Sequence, residues 1–175
     1  MRMILLAVGL AGLWLPQSAP SQILSAPVAS EVITRMLALA QVTRKDVVYD
    51  LGSGDGKVAI AAAKSYGARA VGLDIDPDRI KESRANAQAA GVADRVEFRE
   101  QDIFKADLSE ATVVTVFLLA RFNEQVRPVL TKQLRPGTRV VSHTFAMGPS
   151  WAPVKTDKFT TTTGVEATLY LWRVP

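Results

Sequence analysis

The sequence lacks cysteine altogether and contains a single histidine, His143. The absence of cysteine excludes disulfides, thiolate metal ligands and thiol catalysis, and one histidine makes a histidine-based metal site unfavourable. We therefore expect no metal site. The chain also lacks a dense block of lysine and arginine with interleaved aromatic residues, and its net charge is only +4. A nucleic-acid partner is not expected from this pattern.

The N-terminal segment differs from the rest of the chain. Residues 3–30 carry no charge, and residues 3–15 are almost wholly apolar. That run is shorter than the roughly 20 residues that span a bilayer. A basic residue, a short apolar run and then small residues are typical of a signal peptide, with cleavage after Ser21. The alternative is a disordered or surface-packed arm.

The organisation of the chain follows from this segment. We expect residues 1–21 to be a signal-peptide-like or anchor segment and residues 22–175 to form one domain, a size that suits a single hydrophobic core. The segment predicts a membrane-anchored or exported protein, with a cytoplasmic location as the alternative.

Strand-like and helix-like patterns alternate after residue 30. A helix capped by Ser30 comes first, and a threonine-rich hairpin over residues 155–173 comes last. Between them we predict strands at 47–49, 70–73, 96–98, 111–118 and 139–142, and helices at 57–66, 77–90 and 122–134. This alternation predicts an α/β fold, Rossmann-like and doubly wound, with a mostly parallel seven-stranded sheet and a C-terminal antiparallel hairpin.

A glycine-rich turn follows the first predicted strand. Asp50 ends that strand, and Gly52, Ser53 and Gly54 lead into the next helix. Ligands of open parallel sheets bind beyond the carboxyl ends of the strands, where glycine lets the backbone approach them. Lys57 stands where a dinucleotide fingerprint needs its third glycine. A carboxylate at this turn attracts a sulfonium and an amino group and repels a pyrophosphate, which favours S-adenosyl-L-methionine as the ligand.

Two more aspartates follow the next two strands. Asp74 lies twenty-two residues after Gly52, in the position from which a carboxylate accepts hydrogen bonds from both ribose hydroxyls. Asp102 follows the third strand, where it could accept from the adenine amine while Ile103 packs near the ring. The alternatives are a strand-terminating or N-capping residue for Asp50, a turn residue for Asp74 and a capping aspartate in a loop for Asp102.

The motifs 47–57 (VVYDLGSGDGK), 71–77 (VGLDIDP) and 101–103 (QDI) resemble those of the seven-strand, or class I, S-adenosylmethionine-dependent methyltransferases. Residues 61–64 and 136–143 make the chain similar to bacterial relatives of the lysine methyltransferases that act on the adenine nucleotide translocase and the ATP synthase c-subunit.

The resemblance implies a division of labour around the cofactor. Asp50 and the glycines would hold the methionine end, Asp74 the ribose, Ile75 one face of the adenine, and Asp102 the adenine amine. It also implies a protein lysine as methyl acceptor, with a membrane protein as a candidate substrate. We expect a monomer.

The chain departs from its relatives at two places. Residues 24–28 lack the aromatic residue that often precedes the first helix. Residues 117–123 lack the Asn/Asp-Pro-Pro-aromatic motif of enzymes that methylate amide nitrogens or adenine, which argues against those acceptors. A small-molecule acceptor, an exported non-catalytic binding protein and a nucleotide-dependent oxidoreductase remain as alternatives.

No residue stands out as the catalytic base. His143 is the candidate by type, with a structural role as its alternative. Arg121 and Asn123 could line the acceptor site, and a solvated helix start explains them equally well. Arg127, Lys132, Arg135 and Arg139 are interpreted as a solvent-facing basic surface, with binding to an acidic partner as the alternative. Because S-adenosylmethionine is made in the cytosol, an anchor that leaves the domain on the cytosolic side would resolve the conflict between export and cofactor supply.

Overall fold

The computed structural model describes residues 29–175; the signal-like segment and residues 24–28 lie outside the described part of the chain. Four helices and seven strands follow one another in the order α1 (Ser30–Leu39), β1 (Val47–Leu51), α2 (Lys57–Tyr66), β2 (Arg69–Asp74), α3 (Pro77–Ala89), β3 (Val96–Glu100), β4 (Val113–Val116), α4 (Ala120–Gln133), β5 (Arg139–His143), β6 (Lys155–Thr160) and β7 (Glu166–Arg173). No helix within residues 29–175 is long and apolar enough to cross a membrane.

The seven strands form one sheet in the order β3-β2-β1-β4-β5-β7-β6. The five strands from β3 to β5 are parallel, and β7 runs antiparallel between β5 and β6. The predicted α/β, doubly wound fold with its terminal hairpin is confirmed. The strand order reverses beside β1, so the carboxyl ends of β1 and β4 flank the crevice where such sheets bind their ligands.

Alternating side chains of the central strands build a core on each face of the sheet. Val48, Val113 and Val141 pack on the face covered by α1, α2 and α3. Tyr49 and Val114 pack on the opposite face, under α4. Strands buried on both faces explain why these segments are apolar almost throughout.

The predicted N-terminal caps of two helices had different outcomes. Asp76 caps α3, since its carboxylate accepts from the backbone N–H of Asp78 at 2.9 Å, and Pro77 occupies the first turn as predicted. The predicted capping role of Ser30 is wrong. Ala29 occupies the cap position of α1 and Ser30 is already helical, so its side chain makes no cap hydrogen bond.

Element ends moved by a few residues from their predicted positions. The longest change is in the fourth strand, predicted over 111–118, of which Val113–Val116 pair as β4. The residues that follow leave the sheet, and α4 begins at Ala120 rather than at Phe122. The carboxyl end of β4 therefore opens early and frees residues 117–119 to border the crevice.

Candidate active site

Asp50 lies near the carboxyl end of the central strand and is almost completely buried, with 5% of its surface exposed. Thr115, directly opposite on β4, donates its hydroxyl to Asp50 Oδ1 at 2.7 Å. Burial raises the pKa of Asp50 to about 7 despite that hydrogen bond, and the nearby carboxylates of Asp74 and Asp55 add to the rise. Sequence reasoning missed Thr115; its signal was a polar residue inside an apolar central strand.

The charges around the turn are unbalanced. Asp55 pairs with Lys57, whose Nζ is 2.7 Å from the carboxylate. Within residues 29–175, by contrast, the polar contacts of Asp50 and Asp74 are a hydroxyl and backbone N–H groups, with no basic side chain among them. Two buried carboxylates without cations form a local site that favours a positively charged ligand.

The turn after β1 is shaped by its glycines. Gly52 adopts φ +78°, and a Cβ added to it would lie 2.8 Å from Leu118 Cδ2, so a side chain there is excluded on both counts. The N–H groups of Gly52 and Ser53 both donate to Leu73 O, at 2.8 and 2.9 Å. A Cβ on Gly54 would meet nothing within 4 Å, which shows that the outer side of the turn is open.

Ser53 contributes to the turn in an unexpected way. Its hydroxyl is buried and has no hydrogen-bond partner within the described residues. The hydroxyl lies 2.8 Å from where a Cβ on Gly72 would be, and Phe98 fills the rest of that space. The serine side chain therefore points towards β2, and its predicted role at the cofactor stays a prediction.

Asp74 ends β2 beside the turn and is 3% exposed. Its Oδ2 accepts from Gly54 N at 2.9 Å and its Oδ1 from Asp76 N at 3.0 Å. A carboxylate can accept about four hydrogen bonds, so capacity remains for two ribose hydroxyls. The next residue, Ile75, is 60% exposed, a position consistent with its predicted contact with an adenine face.

Asp102 and Ile103 follow β3 at the same edge, and Gln101 N donates to Asp74 O at 2.8 Å. Asp102 Oδ1 accepts from Phe104 N at 3.0 Å, as in the capping interpretation, while Lys105 Nζ is 3.7 Å from Oδ2. Ile103 packs partly against the core under α4. The structure thus brings the predicted residues of three strand ends together, and their contacts with a cofactor remain predictions.

Comparison with known proteins identifies this constellation. The family model described as ANTKMT methyltransferase domain matches residues 50–155, more than half of the chain. The chain belongs to this methyltransferase family. The resemblance to the class I methyltransferases, predicted from the sequence motifs, is confirmed.

Individual relatives agree with the family. A protein-lysine N-methyltransferase of Saccharolobus islandicus is 47% identical over 133 residues, which cover 75% of this chain and 82% of that protein. A Xenopus laevis protein, named as the lysine N-methyltransferase of the ATP synthase c-subunit, is 34% identical over 63% of this chain and 48% of its own length. The chain therefore spans about half of that vertebrate protein.

Solved structures agree on fold and cofactor. A crystal structure described as an RNA methyltransferase from Salinibacter ruber, in complex with S-adenosyl-L-homocysteine, is 54% identical, with a TM-score of 0.80 over 86% of this chain and 94% of that one. An S-adenosylmethionine-dependent methyltransferase from Geobacter sulfurreducens, also with S-adenosyl-L-homocysteine, gives 25% identity and a TM-score of 0.60 over 66% of this chain and 48% of that one. The methyltransferase therefore uses S-adenosyl-L-methionine.

The residues of this methyltransferase fit that cofactor on their own chemistry. The carboxylates of Asp50 and Asp74, which have no basic partner within residues 29–175, suit a ligand with a sulfonium and an amino group, and the open face at Gly54 leaves room beside them. Within the described part of the chain, no cluster of acidic residues and histidine could hold a metal ion.

The ends of β4 and β5 lie next to the turn and form the other half of the crevice. His143 ends β5, and its ring packs on Phe117 with centroids 4.6 Å apart. Asn123 is fully buried at the start of α4 and donates Nδ2 to Phe145 O at 2.8 Å. The guanidinium of Arg121 lies 4.9 Å from the centre of the Phe122 ring.

The interpretation of Arg139 as part of a solvent-facing basic surface is wrong. Its guanidinium forms an ion pair with Asp46 at the amino edge of the sheet and donates to the carbonyls of Ala40 and Gln41. Asp46 and Arg139 lie 93 positions apart in the chain, so no spacing signal connected them. This pair belongs to the scaffold, at the opposite end of the strands from the crevice.

Proposed function

We propose that this methyltransferase methylates the side-chain nitrogen of lysine in a protein. The geometric observation that carries methyl transfer is the pair of buried carboxylates, Asp50 and Asp74, which have no basic partner at the open turn within the described residues. The lysine acceptor is supported by the Saccharolobus islandicus relative, which is named for that reaction and matches over most of its length.

The residues of the chain divide the work of binding and positioning. Asp50 would attract the cationic end of the cofactor, and Asp74 would accept from its ribose. When bound, S-adenosylmethionine supplies a methyl group from its sulfonium, so the chemistry lies largely in the cofactor. The protein's share is to align an acceptor with that group and to exclude water, which can supply much of the acceleration.

RNA is the acceptor to test against lysine, because the Salinibacter ruber relative is described as an RNA methyltransferase. Binding to phosphates needs free lysine and arginine side chains. Several arginines of this chain are instead held by carboxylates or backbone carbonyls: Arg35, Arg79, Arg84, Arg95, Arg99, Arg127 and Arg139. Because these side chains are bound within the protein, they are less available to phosphates, and this supports a protein acceptor.

The acceptor test uses the full chain and labelled S-adenosylmethionine, with the total protein and total RNA of the source cell offered separately. We expect label in protein that resists ribonuclease, is lost on proteolysis and corresponds to a 14 Da increment on lysine. Label in RNA would overturn the proposal. If the protein binds S-adenosylhomocysteine but transfers no label from S-adenosylmethionine to protein, RNA or small molecules, the exported binding-protein alternative is supported.

We further propose that the N-terminal segment holds the domain at a membrane and that the acceptor is a membrane protein. Glu31, in the first turn of α1, accepts from the backbone of Thr162 in the β6–β7 turn. Since His143 pairs with Leu169 early in β7, this end of α1 lies on the same sheet edge as the cofactor turn. The start of α1 therefore lies at the edge where the acceptor would arrive, which supports a membrane-facing site.

Fractionation tests the membrane proposal. We expect the full chain to sediment with membranes and to resist a high-salt wash, and a variant with Leu5→Asp and Leu13→Asp to become soluble. Recovery of the uncleaved full-length protein in the soluble fraction would contradict membrane attachment. N-terminal sequencing distinguishes an anchor from cleavage after Ser21.

A further inference from the structure

The ends of β1, β4 and β5 form a row along one edge of the sheet. The pairs Leu51–Val116 and Val116–Ser142 place the following residues, Gly52, Phe117 and His143, side by side in the crevice. Neighbouring strands are about 4.8 Å apart, so the His143 backbone is about 10 Å from the cofactor turn. A group that reacts with the methionine end of the cofactor would bind between the two.

Among the described residues, the contacts of the His143 ring are packing contacts and not hydrogen bonds. It lies 4.6 Å from the Phe117 ring, with an angle of 32° between their planes. Its Nδ1 is buried and has no hydrogen-bond partner within residues 29–175. Buried polar atoms are nearly always paired; within the described residues Ser53 Oγ and Asn123 Oδ1 are the other buried side-chain atoms without a partner, whereas the neighbouring Ser142 hydroxyl is paired. Because no hydrogen bond within the described residues fixes which ring nitrogen carries the proton, the nitrogen that faces the acceptor can be the unprotonated one.

The backbone after His143 is strained and firmly tied. Thr144 adopts φ +68°, which is uncommon for a β-branched residue. Phe145 N donates to His143 O at 2.8 Å, and Phe145 O accepts from both Asn123 Nδ2 and the Ser142 hydroxyl. These contacts fix the direction in which the imidazole leaves the strand.

We propose that His143 accepts the proton that the acceptor lysine must lose before it can be methylated. The inference rests on the proposed function, because a lysine ammonium has no lone pair until it is deprotonated. The ammonium proton moves to the imidazole, and the freed nitrogen lone pair forms the bond to the methyl carbon as the carbon–sulfur bond breaks and its electron pair stays on sulfur. The proton then leaves the imidazolium to solvent.

The protonation state of His143 agrees with this role. Burial lowers the pKa of the imidazole below its usual value, so the ring is neutral at physiological pH and able to accept a proton. Burial is the cause of that shift, without a contribution from a charged group. The charged side chains on the elements around β5 are Glu31 and Arg35 on α1, Arg121, Glu124, Arg127 and Lys132 on α4, and Glu166 and Arg173 on β7; β4 carries none, and Asp50 lies two strands away on β1.

The test compares the wild type with His143→Phe, which keeps an aromatic ring against Phe117, and with His143→Gln, which keeps a polar side chain. Single-turnover rates into the protein labelled in the acceptor assay are measured from pH 5 to 10 with saturating S-adenosylmethionine. At pH 7 both variants should be at least about 100-fold slower than the wild type. The wild-type rate should level off above the pKa of His143, whereas the variant rates should rise tenfold per pH unit towards the lysine pKa of about 10.4.

Two readouts do not depend on turnover. His143 is the only histidine in the chain, so its NMR resonance reports its pKa without assignment, and this value should match the lower limb of the wild-type profile. Affinity for S-adenosylhomocysteine should stay within about twofold in both variants, which shows that they fold. A loss that is equal at every pH, or no loss, would overturn the role of His143. Label in RNA by the wild type would instead overturn the lysine acceptor.

Discussion

Two buried aspartates at opposite ends of β1 have pKa values that are shifted in opposite directions. Asp46, just before the strand, accepts from Thr43 and Thr112 and pairs with Arg139. Burial alone would raise the pKa of Asp46, but the hydrogen bonds and the charge of Arg139 outweigh it and lower the pKa. Asp50 has one hydroxyl partner and two acidic neighbours, and its pKa is raised to about 7.

The difference separates what the scaffold needs from what the site needs. At the amino edge, every partner of the carboxylate is supplied by the chain, and the charge serves stability. At the carboxyl edge no basic side chain of the described residues pairs with Asp50, which makes its ionised carboxylate unfavourable until a positively charged ligand binds. Functional sites typically keep such unsatisfied groups at some cost in stability.

The largest effect is expected from breaking the paired aspartate. Arg139→Ala leaves Asp46 charged and buried, which should cost about 3–5 kcal/mol in the free energy of unfolding. Denaturant unfolding measures this. Arg35→Ala removes an exposed partner of Asp157 and should cost less than about 1 kcal/mol. Equal effects of the two substitutions would show that the amino-edge pair has no special role.

The second effect concerns the cofactor. Asp74→Ala removes the expected acceptor of two ribose hydrogen bonds and should weaken S-adenosylhomocysteine binding about a hundredfold, or on the order of 2–3 kcal/mol. Calorimetric titration of the full chain measures it. Asp78→Ala, an exposed carboxylate four residues along, is the matched control and should bind like the wild type. Unchanged binding by Asp74→Ala would refute the ribose assignment.

Neutralising the unpaired aspartate should stabilise the free protein. Because the folded pKa of Asp50 is raised from 3.8 to about 7, the folded state holds this proton more tightly than the unfolded state. Its contribution to stability is therefore lost as the pH rises from about 4 through 7. At pH 8, Asp50→Asn should add about 1–3 kcal/mol to the free energy of unfolding, after the cost of a buried amide, and its cofactor binding should be lost. The gain should shrink towards pH 4; thermal unfolding at both pH values tests this, and a destabilised variant at pH 8 would contradict it.

The smallest effect is a pH dependence of binding. The cationic cofactor needs Asp50 ionised, so S-adenosylmethionine affinity should increase about tenfold between pH 5.5 and 7.0, as expected for a group with a pKa of about 7. This range lies below the usual pKa of an α-amino group, about 7.7–8.0, so the ligand itself does not change. Any binding retained by Asp50→Asn should be flat with pH. An affinity that is the same at both values would mean that Asp50 stays ionised in the free protein.

The sequence was most informative about features that depend on residues close together in the chain. Asp50, Asp74 and Asp102 each follow a strand, and parallel strands bring such positions to one edge, so their proximity could be predicted before any contact was known. The glycine turn and the cap at Asp76 are equally local.

Contacts between distant elements could not be predicted in this way. The Arg139–Asp46 pair and the Phe117–His143 packing depend on which strands become neighbours and on side-chain direction, which spacing does not encode. The Ser53 hydroxyl points inwards because Gly72 leaves room there. The signal-peptide-like or anchor role of residues 1–21, the membrane attachment and the monomeric state stay predictions.

The position of β7 has a consequence for how the enzyme is made. Among the strands of the described sheet β7 comes last in the chain, yet it is inserted between β5 and β6 and is the neighbour of β5 on the side away from β4. Strands β1 to β4, with the cofactor turn, can therefore assemble while synthesis continues. The His143 edge gains its flanking strand only when Glu166–Arg173 has been translated. The nascent chain would thus acquire a place for the methyl donor before it can position anything to be methylated.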